Sequence, residues 1–177
     1  MGIDPGTTVM GYGVIRISGK QIETLSLGVV MLNKLKDHAD KLKSIFEKTS
    51  RLIENYLPDE MAVEAPFYGK NVQSMLKLGR AQGVVMAAGL SRDIPIVEYS
   101  PRKIKQAITG NGNASKEQVA SMLESTLQTR IEVKYMDATD GLAVALCHHY
   151  QARTQGFSKK GNSWQEFIKS NPDRLGS

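Results

Sequence analysis

The pattern of apolar residues in the first third of the chain changes from strand-like to helical. β-Branched residues cluster on both sides of a glycine turn, which predicts a hairpin of two strands over residues 11–17 and 21–31. Residues 1–4 are predicted to form a further strand before this hairpin. From Lys41 onward, apolar residues recur every three or four positions, which predicts a helix that ends at Pro58.

The middle of the chain predicts a buried strand and a helix rich in small residues. The apolar run at 61–64 is too short for a surface helix and is ended by Pro66, so it is predicted to be a buried strand. Residues 71–90 are predicted to form a helix with Gly79 and Gly83 on one side. These glycines cost helix propensity, which favours tight packing against another helix or a dimer contact.

Helices dominate the rest of the chain. A fifth strand is predicted at 94–99, and the Ser-Pro pair at 100–101 supplies an N-cap and a first-turn proline for a short helix. A capping box at 115–118 starts the next helix, and the last helix is predicted over about 137–153. This order of elements predicts an α/β fold built on one layered sheet.

Length and composition predict one globular domain, over residues 1–153, followed by a flexible polar and basic tail over 154–177. No apolar run is long enough to cross a membrane and the N-terminus lacks a secretory signal, so we expect a soluble cytoplasmic protein without a membrane partner. The single cysteine, Cys147, excludes an internal disulfide framework and a cysteine-rich zinc site. The first predicted strand, at 1–4, is short, so we expect a few residues to be missing from the front.

The charge of the chain favours a polyanionic partner. The net charge is +5 and the isoelectric point is near 9.3, values that favour nucleic acid. Four basic residues flank the glycine- and asparagine-rich turn at 110–113: Arg102, Lys103, Lys105 and Lys116. Together with the free backbone N–H groups after Ser115, they could clamp DNA phosphates. The alternative interpretation is an ordinary solvated basic face.

Four acidic residues are candidates for a metal site. Asp137 and Asp140 are three residues apart and therefore share one face of the last helix, where both could simply interact with the helix dipole. Asp4 and Glu64 each end a predicted strand, where unpaired carboxylates would be costly. If the four converge, their oxygens suit Mg²⁺ or Mn²⁺, and two such ions about 4 Å apart suit phosphodiester cleavage.

Five motifs in order along the chain carry a family resemblance. They are Gly-Ile-Asp-Pro-Gly at 2–6, Met-Gly-Tyr-Gly at 10–13, Val-Glu-Ala-Pro-Phe at 63–67, Lys-Leu-Gly-Arg-Ala-Gln-Gly at 77–83 and Asp-Ala-Thr-Asp-Gly-Leu-Ala at 137–143. Over about residues 1–152 the chain resembles the RuvC family of Holliday junction resolvases. The resemblance implies a ribonuclease-H-like fold, with a five-stranded mixed sheet and helices on both faces. It also implies a homodimer that makes paired symmetric nicks in four-way DNA junctions, and partnership with the branch-migration helicase RuvA and RuvB.

The resemblance also implies roles for individual residues. By motif, the four catalytic carboxylates are Asp4, Glu64, Asp137 and Asp140, ligands of two Mg²⁺ ions for which Mn²⁺ could substitute. One ion would activate water and the other would stabilise the leaving 3′ oxygen, which leaves a 5′ phosphate. Lys105 and Lys116 match basic positions beside the scissile phosphate.

An aromatic residue follows Glu64 in the third motif. Phe67 matches a family aromatic that could stack on an unpaired base, and Tyr68 is a neighbouring candidate. From its residue type alone, Phe67 would be assigned to the core. His148 and His149 lie two to three turns beyond Asp140 on the predicted helix, so we expect structural or solvent-facing roles for both.

Three other functions remain open from the residues. The segment at 4–8 resembles the first phosphate loop of sugar kinases and chaperone ATPases, although those proteins need two similar domains that 177 residues do not supply. A nuclease acting on RNA–DNA hybrids and a junction-binding module without catalysis are the others. The base sequence preferred at a cut depends on DNA deformability and does not follow from the motifs.

Overall fold

A computed structural model describes residues 1–66, 71–128 and 136–159 of the chain. Its strands are β1 (Gly2–Asp4), β2 (Val9–Ser18), β3 (Gln21–Met31), β4 (Met61–Glu64) and β5 (Ile96–Tyr99). Its helices are α1 (His38–Tyr56), α2 (Val72–Leu90), α3 (Pro101–Thr109), α4 (Lys116–Leu127) and α5 (Met136–Lys159). None of the helices in these ranges is long and apolar enough to cross a membrane.

The strands form one mixed sheet in the order β3-β2-β1-β4-β5. β2 pairs antiparallel with β1 and with β3, whereas β4 pairs parallel with β1 and with β5. The short strand β1 therefore lies at the centre, between the hairpin and the parallel pair. This arrangement confirms the predicted five-stranded mixed sheet.

Helices cover both faces of the sheet, as predicted. One face packs on α1 and α2, and its buried residues include Ile3 and Val63 from the strands and Ile45 and Val85 from the helices. The other face packs on α3, α4 and α5, with Ala62 from the sheet against Leu123 and other buried helical residues. Successive residues of a strand point to opposite faces, so Ile3 and Val63 lie on the α1 side and their neighbours on the α5 side.

Helix α5 lies against the strands at backbone distance because small residues line the contact. A Cβ added at Gly2 would overlap the backbone of Ala145, and one at Gly13 would overlap the backbone of Leu142. From the helix side, a Cβ at Gly141 would overlap the backbone of Tyr12. These backbone-to-backbone contacts hold the first turns of α5 directly over β1 and β2.

Most predicted boundaries agree with the structure, and four differ by two residues or more. Strand β2 begins at Val9 rather than at residue 11. Helix α1 begins at His38 rather than Lys41, because its first turn is polar and is fixed by Asp37, whose side chain accepts the N–H of Ala39 at 3.1 Å. Strand β5 begins at Ile96 rather than at residue 94. Helix α5 continues to Lys159, past the predicted end near residue 153.

The capping predictions are confirmed. The Ser100 side chain accepts the N–H of Lys103, with Pro101 in the first turn of α3. The capping box at the start of α4 has both of its hydrogen bonds, in which Ser115 and Gln118 each accept the other's backbone N–H. Residues 160–177, which hold most of the predicted tail, lie outside the described residues.

Candidate active site

Asp4 and Glu64 end two neighbouring parallel strands. The register of β1 and β4 pairs Ile3 with Val63, so the next residues along the two strands, Asp4 and Glu64, lie side by side. Adjacent strands are about 4.8 Å apart, which brings both carboxyl groups to one edge of the sheet. Because side chains alternate, both leave the sheet on the face covered by α5.

Asp137 and Asp140 lie in the first turns of α5, above the same edge. The Asp140 side chain is 20% exposed and points inward, whereas the Asp137 side chain is 57% exposed and lies at the rim. The three-residue spacing places both on one side of the helix, as the sequence predicts.

A cavity of about 260 Å³ brings most of the predicted site residues together. It is lined by the acids Asp4, Glu64 and Asp140 and by the lysines Lys105 and Lys116. Its remaining wall is mainly apolar, with Pro101, Ile104, Val119 and Ala143. Side chains from two strands and three helices therefore converge on one small, partly apolar space.

Lys116 connects the two acids of α5. Its Nζ donates to Oδ2 of Asp140 at 2.7 Å and lies 3.6 Å from Oδ1 of Asp137. Lys116 is the first residue of α4, directly after the N-cap Ser115, so the capped turn fixes where its side chain starts. Asp137, which does not line the cavity, is joined to it through this ammonium group.

The electrostatics of the two strand-end acids are strongly perturbed. Burial raises the pKa of Asp4 to about 6, and the charge of Asp140 adds to this while Lys116 opposes it. Burial raises the pKa of Glu64 to about 8, and the charges of Asp4 and Asp140 add to this while Lys116 and Lys105 oppose it. Acids with raised pKa values take up positive charge readily, as a proton or as a metal ion.

The pKa of Lys116 is raised as well, although burial acts on it in the opposite direction. Burial lowers the pKa of its ammonium group, but the hydrogen bond to Asp140 and the charges of the surrounding carboxylates outweigh burial, so the pKa is raised. The ammonium group is therefore held in its charged form by the acids.

The donor set fits a hard divalent cation. Every acidic donor at this edge is a carboxylate oxygen, the ligand type preferred by Mg²⁺ and Mn²⁺. In the part of the chain that the structure describes, no three acidic, histidine or cysteine side chains are already arranged around one ion position. In this structure Asp137 and Asp140 contact the ammonium group of Lys116.

A second cavity, of about 290 Å³, lies on the other side of the same acids. Asp4 and Glu64 line it together with the loop residues Pro5, Gly6, Ala65 and Pro66 and with Leu78 and Gln82 of α2. Gln82 is buried, and its side-chain amide donates to Glu98. Sequence reasoning did not single out Leu78 and Gln82 for this site, although their four-residue spacing places them on one helix face.

The other predicted DNA-binding residues lie away from the cavity or outside the described residues. Lys103 places its Nζ 5.3 Å from the centre of the Tyr99 ring rather than in the acidic cavity. The side chain of Arg102 lies against Gly112 in the turn between α3 and α4. Phe67 and Tyr68 belong to residues 67–70, which the structure does not describe.

His148 links helix α5 to two other parts of the fold and does not line the acidic cavity. Its Nδ1 is 2.8 Å from the hydroxyl of Tyr99, and its Nε2 is 2.7 Å from Oε2 of Glu60. The imidazole therefore links α5 to β5 and to the residue before β4. This is the structural role expected for it from the sequence.

Comparison with known proteins identifies relatives over nearly the whole chain. The family model for crossover junction endodeoxyribonuclease RuvC matches residues 1–148. The RuvC protein of Christiangramia forsetii is 59% identical over 99% of this chain and 91% of its own length. That of Cytophaga hutchinsonii is 58% identical over 99% of this chain and 86% of its own length.

A solved structure of a RuvC protein is also similar to this chain. Thermus thermophilus RuvC in complex with a Holliday junction substrate superposes with a TM-score of 0.80 and 31% identity, covering 87% of this chain and 94% of that one. This likeness confirms the predicted ribonuclease-H-like fold.

Proposed function

The chain belongs to the RuvC family of crossover junction endodeoxyribonucleases, and from that premise we propose that it resolves four-way DNA junctions by metal-dependent hydrolysis of phosphodiester bonds. The observation that carries this proposal is the convergence of Asp4, Glu64 and Asp140 in one cavity with Lys105 and Lys116. A metal-dependent nuclease needs acids that hold the metal ions and cations that interact with the phosphate.

The four acids are proposed to hold two Mg²⁺ ions, for which Mn²⁺ could substitute. Asp4, Glu64 and Asp140 supply oxygens inside the cavity, and Asp137 supplies them at its rim. Bound ions of this kind activate a water molecule and stabilise the leaving 3′ oxygen. The protein's own part is to hold the carboxylates on two strand ends and one helix, so that they need little rearrangement during the reaction.

Two lysines are proposed to bind the phosphate that is cut. Lys105 and Lys116 line the cavity from α3 and α4, on the side away from the strands. The backbone N–H groups of the first turn of α4, which begins after Ser115, favour an anion at the same place. Arg102 and Lys103 are proposed to contact the DNA backbone further out, and Phe67 with Tyr68 to stack on bases near the cut.

A second copy of the chain is proposed to bind through α2. Val72 and Leu76 of α2 are 64% and 51% exposed, and the positions of Gly79 and Gly83 face open space. The small residues thus have no close neighbour within the described part of this chain, which supports a dimer contact on this side of α2. Two active sites in such a dimer would account for paired nicks.

The remaining assignments follow from family membership. We propose a nuclease domain over residues 1–153 with a tail over 154–177, action in the cytoplasm, and partnership with the branch-migration helicase. The kinase-like interpretation of residues 4–8 is not favoured, because the family match spans residues 1–148 and includes that loop.

One experiment separates junction resolution from the nuclease alternatives. The protein is incubated in Mg²⁺ with a four-way junction, a linear duplex of the same sequence and an RNA–DNA hybrid, and the nicks are mapped. We expect symmetric nicks, with 5′ phosphates, in the junction alone. Cleavage of the hybrid in preference to the junction would contradict the proposal, and so would junction binding without any cleavage.

A further inference from the structure

Lys116 is held between acidic groups that are proposed to bind metal. Its Nζ contacts Asp140 at 2.7 Å and Asp137 at 3.6 Å, and it lines the cavity that Asp4 and Glu64 also line. Lys105 lines the same cavity, but within the described ranges it has no ion pair with an acid of the kind that Lys116 forms. The two lysines, although they carry the same charge, are therefore engaged differently.

A divalent ion and this ammonium group compete for the same oxygens. An Mg²⁺ ion sits about 2.1 Å from each ligand oxygen, whereas the ammonium nitrogen is already 2.7 Å from Oδ2 of Asp140. If both were bound to that carboxylate, a double and a single positive charge would lie a few ångströms apart and repel each other. Within the described ranges, moreover, no three acids are arranged around one ion position.

The side chain of Lys116 is free to leave. It is 53% exposed, so its ammonium group can be hydrated after only a rotation about its own flexible bonds. No movement of α4 is needed, and the capped first turn stays intact. Once outside the acid cluster, the ammonium group would still lie at the mouth of the cavity.

We propose that Lys116 is a displaceable counter-cation: it neutralises the acids of α5 before metal arrives and is expelled from them when a divalent ion binds. The released ammonium group is then available to a DNA phosphate at the cavity mouth. Metal binding would in this way neutralise the acids and also make the Lys116 ammonium group available to bind DNA. The inference rests on the metal site of the proposed function.

Metal affinity measured without DNA tests the proposal. Binding of Mg²⁺ or Mn²⁺ to the full chain is followed by calorimetry for the wild type, Lys116→Gln and Lys105→Gln. Both variants lose one positive charge from the same cavity, but only the first loses the contacts to Asp140 and Asp137. We expect Lys116→Gln to bind the ion about fivefold more tightly or better, with at most half that gain in Lys105→Gln.

Amine reactivity provides a second readout on the unmodified protein. Acylation of lysines, mapped by mass spectrometry, should increase at Lys116 when Mg²⁺ is added, while Lys20 in the exposed β2–β3 turn stays constant. Unchanged affinity in Lys116→Gln would overturn the proposal. Equal gains in the two variants would also overturn it, because general charge would then explain the effect.

A further variant separates this inference from the proposed function. Asp4→Asn is expected to weaken metal binding strongly, because it removes a ligand without touching Lys116. If it does so while Lys116→Gln has no effect, the metal site stands and the counter-cation role fails. If Asp4→Asn binds metal normally, the metal site itself is contradicted, and the role of Lys116 is contradicted with it.

Discussion

Gly11 of β2 lies so close beneath Asp137 of α5 that a Cβ at position 11 would overlap the Asp137 carbonyl oxygen. Gly11 is also the strand partner of Asp4 in the β1–β2 pair. Because Gly11 has no side chain, it sets how closely Asp137 of the helix can approach the strand that pairs with Asp4. The distance between the two halves of the site is set by backbone contact.

Gly11→Ala is therefore expected to damage the site more than a small core change normally would. The added methyl group must push the first turn of α5 away from the sheet, at a cost of about 1–3 kcal/mol in the free energy of unfolding. A displacement of about 1 Å in the ligands can lower turnover about 100-fold. Thermal unfolding and junction cleavage measure the two effects, and a variant with wild-type cleavage would show that α5 is not seated in this way.

The raised pKa values of the strand-end acids predict how stability depends on pH in the metal-free protein. The pKa of Glu64 rises from 4.5 to about 8 on folding, so the folded state binds more protons than the unfolded one. The stability associated with its protonated form is complete below about pH 4.5 and is lost as the pH rises through 8.

Glu64→Gln should abolish the loss of folding stability at high pH, because glutamine does not ionise. In the presence of a chelator, we expect the variant to unfold about 4 °C or more above the wild type at pH 8, and close to it at pH 4.5. Melting curves of both proteins across this range give the comparison. A gap that is absent at pH 8, or largest at acid pH, would contradict the burial of the Glu64 carboxyl.

The exposed face of α2 predicts a variant that separates the subunits. Leu76 is 51% exposed beside the open positions of Gly79 and Gly83, so Leu76→Lys should convert the proposed dimer to a monomer without lowering the stability of the fold. Sedimentation gives the mass. The matched control is Ile17→Lys, at a comparably exposed position on β2, which should leave the mass unchanged.

The contacts of His148 predict a purely structural effect. His148→Ala removes the links to Tyr99 and Glu60. It leaves the hydroxyl of the buried Tyr99 without this partner, at about 1–3 kcal/mol of unfolding free energy, whereas the exposed Glu60 carboxylate is hydrated instead. Cleavage per folded molecule should remain, since the imidazole does not line the acidic cavity. A variant that is fully folded but inactive would assign His148 a role that its position does not explain.

The sequence predicts the elements of the site better than their contacts. Met61–Glu64 is predicted with its observed bounds, because a short apolar run before Pro66 has few alternatives. The shared edge of Asp4 and Glu64 follows from two strand ends. The contact of Lys116 with Asp140 joins residues 24 positions apart on two helices, and their relative placement depends on packing that no local pattern encodes.

The second cavity illustrates the same limit. Leu78 and Gln82 line this cavity together with Asp4 because the folded chain places one face of α2 beside the strand ends. Helical spacing groups these two residues on one face but does not say what the face meets. The first turn of α1 escaped prediction for a simpler reason, since it has no large apolar residue to mark the period.

The most direct test of the central claim compares the wild type with Asp140→Asn on a four-way junction, with Mg²⁺ and with a chelator. The wild type should cut only with the metal. The variant should bind the junction with similar affinity and cut it about a thousandfold more slowly or not at all, because one acid of the cavity no longer holds its charge. Cleavage by Asp140→Asn at the wild-type rate, or wild-type cleavage in the chelator, would contradict the account.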